Sequence, residues 1–389
     1  MLLSFPAPPP LSLYIHFPWC VRKCPYCDFN SHEPHGAIPE QRYIDALLAD
    51  LQQQLPAVWG RPLESVFIGG GTPSLLSPEA IERLLSALRA MLGLGPDIEV
   101  TLEANPGTLE QGRFAEYRAA GINRLSIGVQ SFEDEKLQCL GRIHSRREAL
   151  HAAEAAHAAG LENFNLDLMF GLPGQSPAQA RADVAQAITL EPAHISWYQL
   201  TIEPNTAFAH APPVVPEDDA LWAIQQLGQE TLAAAGYVQY EVSAYAREGR
   251  RCRHNLNYWQ FGDYLGIGPG AHGKLTDAPQ GRVERQWRQR HPQAWLESAA
   301  GADVVAGRRT LGREDLVLEF MMNALRLREG FASALFQAHT GMPISTVEPA
   351  LREAERKGLL QWQLQRVLPT ERGHNYLNEL LQLFMPEEK

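Results

Sequence analysis

The chain has 389 residues, 45% of them hydrophobic and 20% charged, and its formal net charge is -11. That length buries a large core and suggests one big domain with a smaller one, while the acidic balance argues against a nucleic-acid surface, which needs a basic stripe to meet phosphates. Five cysteines, three of them in one short stretch, make no disulfide framework, so a reducing cytoplasm is expected. The opening MLLSFPAPPP lacks the basic and continuous apolar parts of a signal peptide. No run of about 18 apolar residues is present to span a membrane; peripheral membrane contact stays open.

In chain order, strand-like runs at Leu13–His16, Ser65–Ile68, Ile98–Glu103, Arg124–Val129, Phe164–Met169 and His194–Thr201 alternate with helically spaced apolar residues. The helical segments are Pro39–Leu55, Pro78–Leu92, Leu109–Ala120, Arg146–Ala159 and Pro177–Leu190. Pro78 and Pro177 each follow a serine, the cap-then-proline start of a helix. Such βα repeats with short connections specify a parallel sheet, either an open Rossmann-type sheet or a partial (β/α) barrel. The barrel is favoured, because no GxGxxG opens the first helix and polar residues recur at the C-terminal ends of several strands.

Beyond a helix at Glu217–Gly236, Tyr237–Lys274 is rich in glycine and aromatics, and Gln280–Ala306 reads as an arginine-bearing connector. Amphipathic helices follow at Glu314–Arg326, Phe331–His339 and Ile344–Lys357. A small hairpin (Leu359–Trp362, Gln365–Leu368) and a last helix within Thr370–Phe384 complete a winged-helix-like α+β module. The expected division is therefore residues 1–306 and 307–389. The module is acidic towards its end, with few basic residues in its second and third helices, which favours packing or protein contact over DNA.

The stretch HFPWCVRKCPYCDFN carries Cys20, Cys24 and Cys27 in CxxxCxxC spacing after the first strand. Three thiolates on one short loop suit a cubane iron–sulfur cluster, leaving one of its irons open to a small molecule. A structural zinc site is the alternative, with His16 or His32 closing the tetrahedron. Gly69-Gly-Gly-Thr-Pro73 follows the second strand and removes every side chain from a turn that backbone groups could present to a ligand. Glu103, Gln130, Arg142 and Asp167 stand at or near further strand ends. Each alone reads equally as a cap, a rim residue or a satisfied buried polar group. Together on one barrel mouth they could bind hydroxyls, an amino group and, through the arginine, a carboxylate.

CxxxCxxC with Tyr26 resembles the radical S-adenosylmethionine (SAM) enzymes. That resemblance implies a [4Fe–4S] cluster whose open iron is chelated by SAM, a GGGTP loop at the SAM amino group, and a partial (β/α)6 barrel. Tyr14-Ile-His-Phe-Pro, GGGTP, Glu-Ala-Asn-Pro-Gly, Ile-Gly-Val-Gln-Ser-Phe and Asn-Leu-Asp-Leu-Met extend the resemblance, over nearly the whole chain, to the coproporphyrinogen dehydrogenase (HemN) family. Carried over by motif, it implies that Tyr14, Tyr26, Gly70, Gly71, Thr72, Glu103, Gln130, Arg142 and Asp167 surround SAM. Two departures stand out. The dehydrogenases carry a further cysteine where this chain has Phe29, and an N-terminal extension where this barrel begins almost at residue 11.

Cys-Pro-Tyr-Cys-Asp-Phe and His254-Asn-Leu-Asn-Tyr-Trp259 are instead similar to the HemW branch, which resembles haem chaperones that deliver haem to apo-haemoproteins such as respiratory cytochromes. On that resemblance His254, otherwise an ordinary structural histidine, becomes a haem-iron ligand on a loop between barrel and C-terminal module, with Tyr258 and Trp259 offering flat apolar faces. Cys252 is an alternative ligand. The rival activity is that of an oxygen-independent coproporphyrinogen III oxidase. The clients, the cleavage of SAM and a homodimer stay open.

Overall fold

The computed structural model describes residues 3–107, 112–363 and 365–386. Six parallel strands form in chain order: β1 (Leu11–Phe17), β2 (Leu63–Gly70), β3 (Glu99–Ala104), β4 (Arg124–Gln130), β5 (Phe164–Phe170) and β6 (His194–Gln199). They lie side by side in that same order. Their apolar residues are buried almost throughout, as strands covered on both faces require. The connecting helices start where the serine–proline and serine–glutamate signals place them. Ser77 accepts from the Ala80 N–H, and Ser145 and Ser176 form capping boxes with Glu148 and Gln179. Of the helix expected at Leu109–Ala120, residues 109–111 lie outside the described residues, and the helix itself starts later than expected, at Phe114, and ends at Ala120.

Side chains from β1 (Tyr14), β2 (Phe67), β3 (Glu103), β4 (Arg124), β5 (Asp167) and β6 (Ser196) line one shared cavity of about 260 Å³. A flat sheet cannot bring its first and sixth strands to one cavity, so the sheet is curved into the partial (β/α)6 barrel.

The sheet does not stop at six strands. β7 (Val238–Glu241) and β8 (Ala244–Ala246) extend the β6 edge. On the other edge β9 (Asp263–Ile267) pairs parallel to β1, followed by antiparallel β10 (His272–Asp277), β11 (Arg282–Arg288) and β12 (Val305–Thr310). The segment expected to be a connector at Gln280–Ala306 is thus two strands and the Pro292–Ser298 helix. The reason lies in β11, where Gln286 and Arg288 are buried although polar. The Gln286 amide donates to Gln54 Oε1 at 2.6 Å and Arg288 Nε to Asp50 Oδ1 at 2.7 Å, both on the buried face of the Glu40–Val58 helix. Paired burial replaces the apolar alternation on which a strand is recognised.

The expected boundary at 306/307 falls inside β12, so the C-terminal module begins after it. Its core joins Leu316, Phe320, Phe336, Leu351, Val367 and Leu380. A three-stranded sheet, ordered β13 (Phe331–Ala332), β15 (Arg366–Pro369), β14 (Leu360–Gln363), completes the expected helix-and-hairpin arrangement. Among the described residues no helix is long and apolar enough to cross a membrane.

Candidate functional site

The loop after β1 is folded back on itself by a bridge between Trp19 and His32. Cys20 N–H donates to the His32 carbonyl at 3.0 Å, and His32 N–H to the Pro18 carbonyl at 2.7 Å. Cys20, Cys24 and Cys27 are free thiols, half-buried, on this closed loop. Among the described residues no three His, Cys, Asp or Glu side chains converge on a point that would hold a single metal ion. A mononuclear zinc site needs such convergence, with donors at about 2.0–2.3 Å; a cubane takes one thiolate per iron corner and does not. His16 is also spent elsewhere. Its Nε2 meets the Asn30 carbonyl at 2.9 Å and therefore carries the proton, leaving Nδ1 to accept from the Tyr14 hydroxyl at 2.9 Å. Burial pushes the Cys20 and Cys27 thiols up. Arg142 Nη1, 3.7 Å from Cys24 Sγ, brings compensating positive charge. The donor set fits a three-cysteine cluster better than zinc.

The glycine loop packs directly on the cysteine loop. Gly71 N–H donates to the Phe17 carbonyl at 2.6 Å and Thr72 N–H to the Trp19 carbonyl at 2.8 Å. A Cβ on Gly71 would stand 2.5 Å from the Trp19 carbonyl oxygen, and one on Gly70, at φ +114, 2.5 Å from the His16 ring. These glycines are required by contact between the two loops, a reason different from the ligand approach their position suggests.

From that base a hydrogen-bonded rim runs round the barrel mouth. Gly70 N–H donates to Glu103 Oε2 at 2.9 Å, and Asn105 Nδ2 to Thr72 Oγ1 at 3.1 Å. Arg142 Nη2 donates to Asn105 Oδ1 and to the Gly128 carbonyl, both at 2.7 Å. Ser126 and Asn165 donate to the two oxygens of Asp167 at 2.8 and 2.9 Å. Tyr198 donates to Gln130 Oε1 at 2.9 Å, and Gln130 itself holds the left-handed φ of +67 beside a register shift in β4. Such a backbone outlier at a strand end is a feature of functional sites. Burial, reinforced by Asp167, pushes the Glu103 carboxyl up to about 8 against the opposing Gly70 N–H.

A cavity of about 390 Å³ is lined by all three cysteines and by every residue that the radical SAM and HemN resemblance places around SAM except Tyr14. Asn105 and Tyr198 line it too. Asn105 lies within the Glu-Ala-Asn-Pro motif and could have been singled out; nothing in the sequence marks Tyr198. Tyr14 belongs to two adjoining cavities, of about 570 and 260 Å³, whose shared wall it forms with Tyr258 and Glu103. Glu103 lines all three.

His254 is not on a loop. It lies in the Arg253–Trp259 helix, 1% exposed, beneath the barrel. Glu99 accepts from the Arg253 and His254 N–H groups at 3.2 and 3.1 Å, fixing the helix start to β3. The ring stacks on Phe67 with centroids 4.9 Å apart, and Tyr258 meets it edge-on at 4.9 Å. Ser65 Oγ donates to Ser12 and stands 2.8 Å from His254 Nδ1, which is therefore the protonated nitrogen. Nε2 keeps its lone pair and has no partner among the described residues. Burial lowers the pKa to about 3, so the ring is neutral. The 260 Å³ cavity it lines is below the roughly 300 Å³ that drug-sized ligands need. Cys252 is buried, its thiol pushed up to about 12, and is no ready alternative ligand.

Residues 14–187 match the radical SAM superfamily model and residues 311–374 the HemN C-terminal domain. The chain is 52% identical to the heme chaperone HemW of Escherichia coli K12 over 384 residues, covering 97% of this chain and 99% of that one. It is 51% identical to heme chaperone HemW of Haemophilus influenzae, covering 98% and 100%. A bovine protein, radical S-adenosyl methionine domain-containing protein 1, mitochondrial, is 36% identical, covering 90% and 81%. Among solved structures, coproporphyrinogen III oxidase (HemN) of Escherichia coli superposes with a TM-score of 0.82 at 22% identity, covering 97% of this chain and 90% of that one, which shows the shared fold.

Proposed function

The chain belongs to the HemW family of the radical SAM superfamily, and we propose that it is a haem chaperone that binds a [4Fe–4S] cluster, SAM and haem and passes haem to apo-haemoproteins such as respiratory cytochromes. The near-full-length identity to proteins named heme chaperone HemW carries this reading. Five free cysteines suit work in a reducing, cytoplasmic setting.

Cys20, Cys24 and Cys27 hold the cluster on the loop closed by Trp19 and His32. A bound cluster would supply an open iron as Lewis acid for the amino and carboxylate groups of SAM. Glu103 and the Gly70–Thr72 loop would receive the amino group. Asp167 and Gln130, already oriented by Ser126, Asn165 and Tyr198, face the ribose hydroxyls. Arg142 supplies positive charge for the SAM carboxylate while bracing Asn105 and Gly128. Tyr26 supplies an aromatic wall, while Tyr14 stands in the two adjoining cavities.

His254 remains the proposed iron ligand, in a changed setting. A neutral imidazole with a free Nε2 lone pair is chemically ready for haem iron, and it is reached from the larger cavity only when Tyr258 or Tyr14 turns aside. That makes it a guarded ligand, which suits a carrier that must also release its cargo.

The test is a haem titration of anaerobically reconstituted protein, followed by Soret absorption and by transfer to an apo-cytochrome. The parent is expected to bind and transfer haem, and His254→Ala to retain iron and sulfide while losing the Soret signature and the transfer. A parent protein that binds no haem contradicts the chaperone reading; an unchanged spectrum in His254→Ala contradicts the ligand.

A further inference from the structure

The cavity of about 570 Å³ between β1 and the β9–β11 extension contains none of the cluster cysteines. It is large enough for a sizeable ligand, and its walls are flat: Phe29, Tyr258, Tyr264 and Trp287, with His272 stacked on Trp287 at 6.2 Å and 24°. Phe29 is 57% exposed, an unusual investment for a large apolar ring, while its carbonyl is pinned by Lys23 Nζ and the Ser31 N–H. Arg288 and Arg290 line the cavity: Arg288 is balanced by buried Asp50, whereas Arg290 is in no ion pair among the described residues, and the one acid in the lining is Glu103, which burial holds largely protonated at neutral pH. In a chain of net charge -11, a cationic pocket is a selective feature.

The two arginines are held ready in different ways. Arg288 is buried, tied by Nε to Asp50, and neither of its η nitrogens has a hydrogen-bond partner among the described residues. Arg290 is exposed at the rim, with Nε on Asn30 Oδ1 at 3.3 Å and its η nitrogens in no hydrogen bond among the described residues. A buried guanidinium with spare donors and an exposed one beside a flat apolar slot fit a planar aromatic ligand that carries carboxylates on its edge.

We infer that this cavity is the cargo site and that Arg290 binds a propionate carboxylate of haem at its rim, with Tyr258 turned aside so that His254 faces the iron. The inference rests on the haem-chaperone reading and adds where the cargo sits and what recognises its edge. The same guanidinium could instead meet the carboxylate of SAM, so the experiment separates the two sources.

The probes are haem and haem dimethyl ester, titrated into reconstituted parent protein and into Arg290→Gln, an exposed substitution that gives up the Nε bond to Asn30 but keeps the Asn30 Nδ2 bonds to the Arg290 and Pro269 carbonyls. SAM affinity and iron and sulfide content are measured on the same samples. Losing a charge-assisted pair should weaken haem binding about tenfold, whether by esterification or by substitution. Esterification should cost less in Arg290→Gln than in the parent, because the partner is already gone. SAM affinity and cluster content should stay unchanged. Equal penalties for the ester in both proteins, or no penalty in either, would overturn the placement while leaving the chaperone reading intact. A loss of SAM binding in Arg290→Gln would assign the carboxylate to SAM and overturn it as well. Failure of the parent to bind haem at all would remove the chaperone reading itself.

Discussion

Asn30 and Arg290, 260 residues apart, are joined twice: Asn30 Nδ2 donates to the Arg290 carbonyl at 2.8 Å, and Asn30 Oδ1 accepts from Arg290 Nε at 3.3 Å. Asn30 Nδ2 also donates to the Pro269 carbonyl at 2.9 Å, and the Asn30 carbonyl accepts from His16 Nε2. The Asn30 side chain thus ties the cysteine loop to the β9–β11 extension and its carbonyl ties it to β1, linking that loop to the rim of the larger cavity.

Replacing Asn30 by Ala removes the side-chain ties to Pro269 and Arg290 and keeps the carbonyl bond to His16, a loss of about 1–2 kcal/mol. The cysteine loop should then release its cluster several-fold faster to an iron chelator, with fold and helix content unchanged. The decay of the cluster absorption under chelator measures this.

Cluster assembly should depend on each of Cys20, Cys24 and Cys27 and on neither other cysteine. An alanine at any of the three should abolish most iron and sulfide content, because His16 has both ring nitrogens engaged and His32 has its Nε2 on Asn30 Oδ1. Cys139 is exposed at the end of the Asp134–Cys139 helix, and its removal should change little. Iron and sulfide assays on reconstituted samples check both.

Gly71→Val should lose cluster as well as SAM. Its new Cβ meets the Trp19 backbone at 2.5 Å, and that backbone carries the cysteine loop. A variant that kept full cluster content while losing SAM would show that the glycine serves only the ligand.

How much of this was legible beforehand follows from the burial of particular side chains. β1 to β6 and their serine-capped helices are written in apolar periodicity, and the residues proposed for the cluster and SAM in local motifs. β11 was not legible, because Gln286 and Arg288 are buried by pairing with Gln54 and Asp50 more than 230 residues away. The helix at His254 was not legible either. Its asparagine-rich sequence has modest helix propensity, and its start is fixed by Glu99, a distant carboxylate.

Glu103 gives a pH signature. Its carboxyl titrates near 8 in the folded chain against an ordinary 4.5, so between these values the folded state holds a proton that the unfolded chain has released. Stability should therefore fall as pH rises through that window, and Glu103→Gln should flatten the slope. Thermal unfolding of the parent and of Glu103→Gln across that window checks both slopes.

The most direct test of the central claim gives the same reconstituted protein two tasks side by side. One sample receives SAM, a reductant and coproporphyrinogen III; the other is loaded with haem and mixed with an apo-cytochrome. A haem chaperone leaves coproporphyrinogen unconverted and yields holo-cytochrome at the rate haem leaves the protein's Soret band. Catalytic conversion of coproporphyrinogen, with no transfer of haem, would contradict the account.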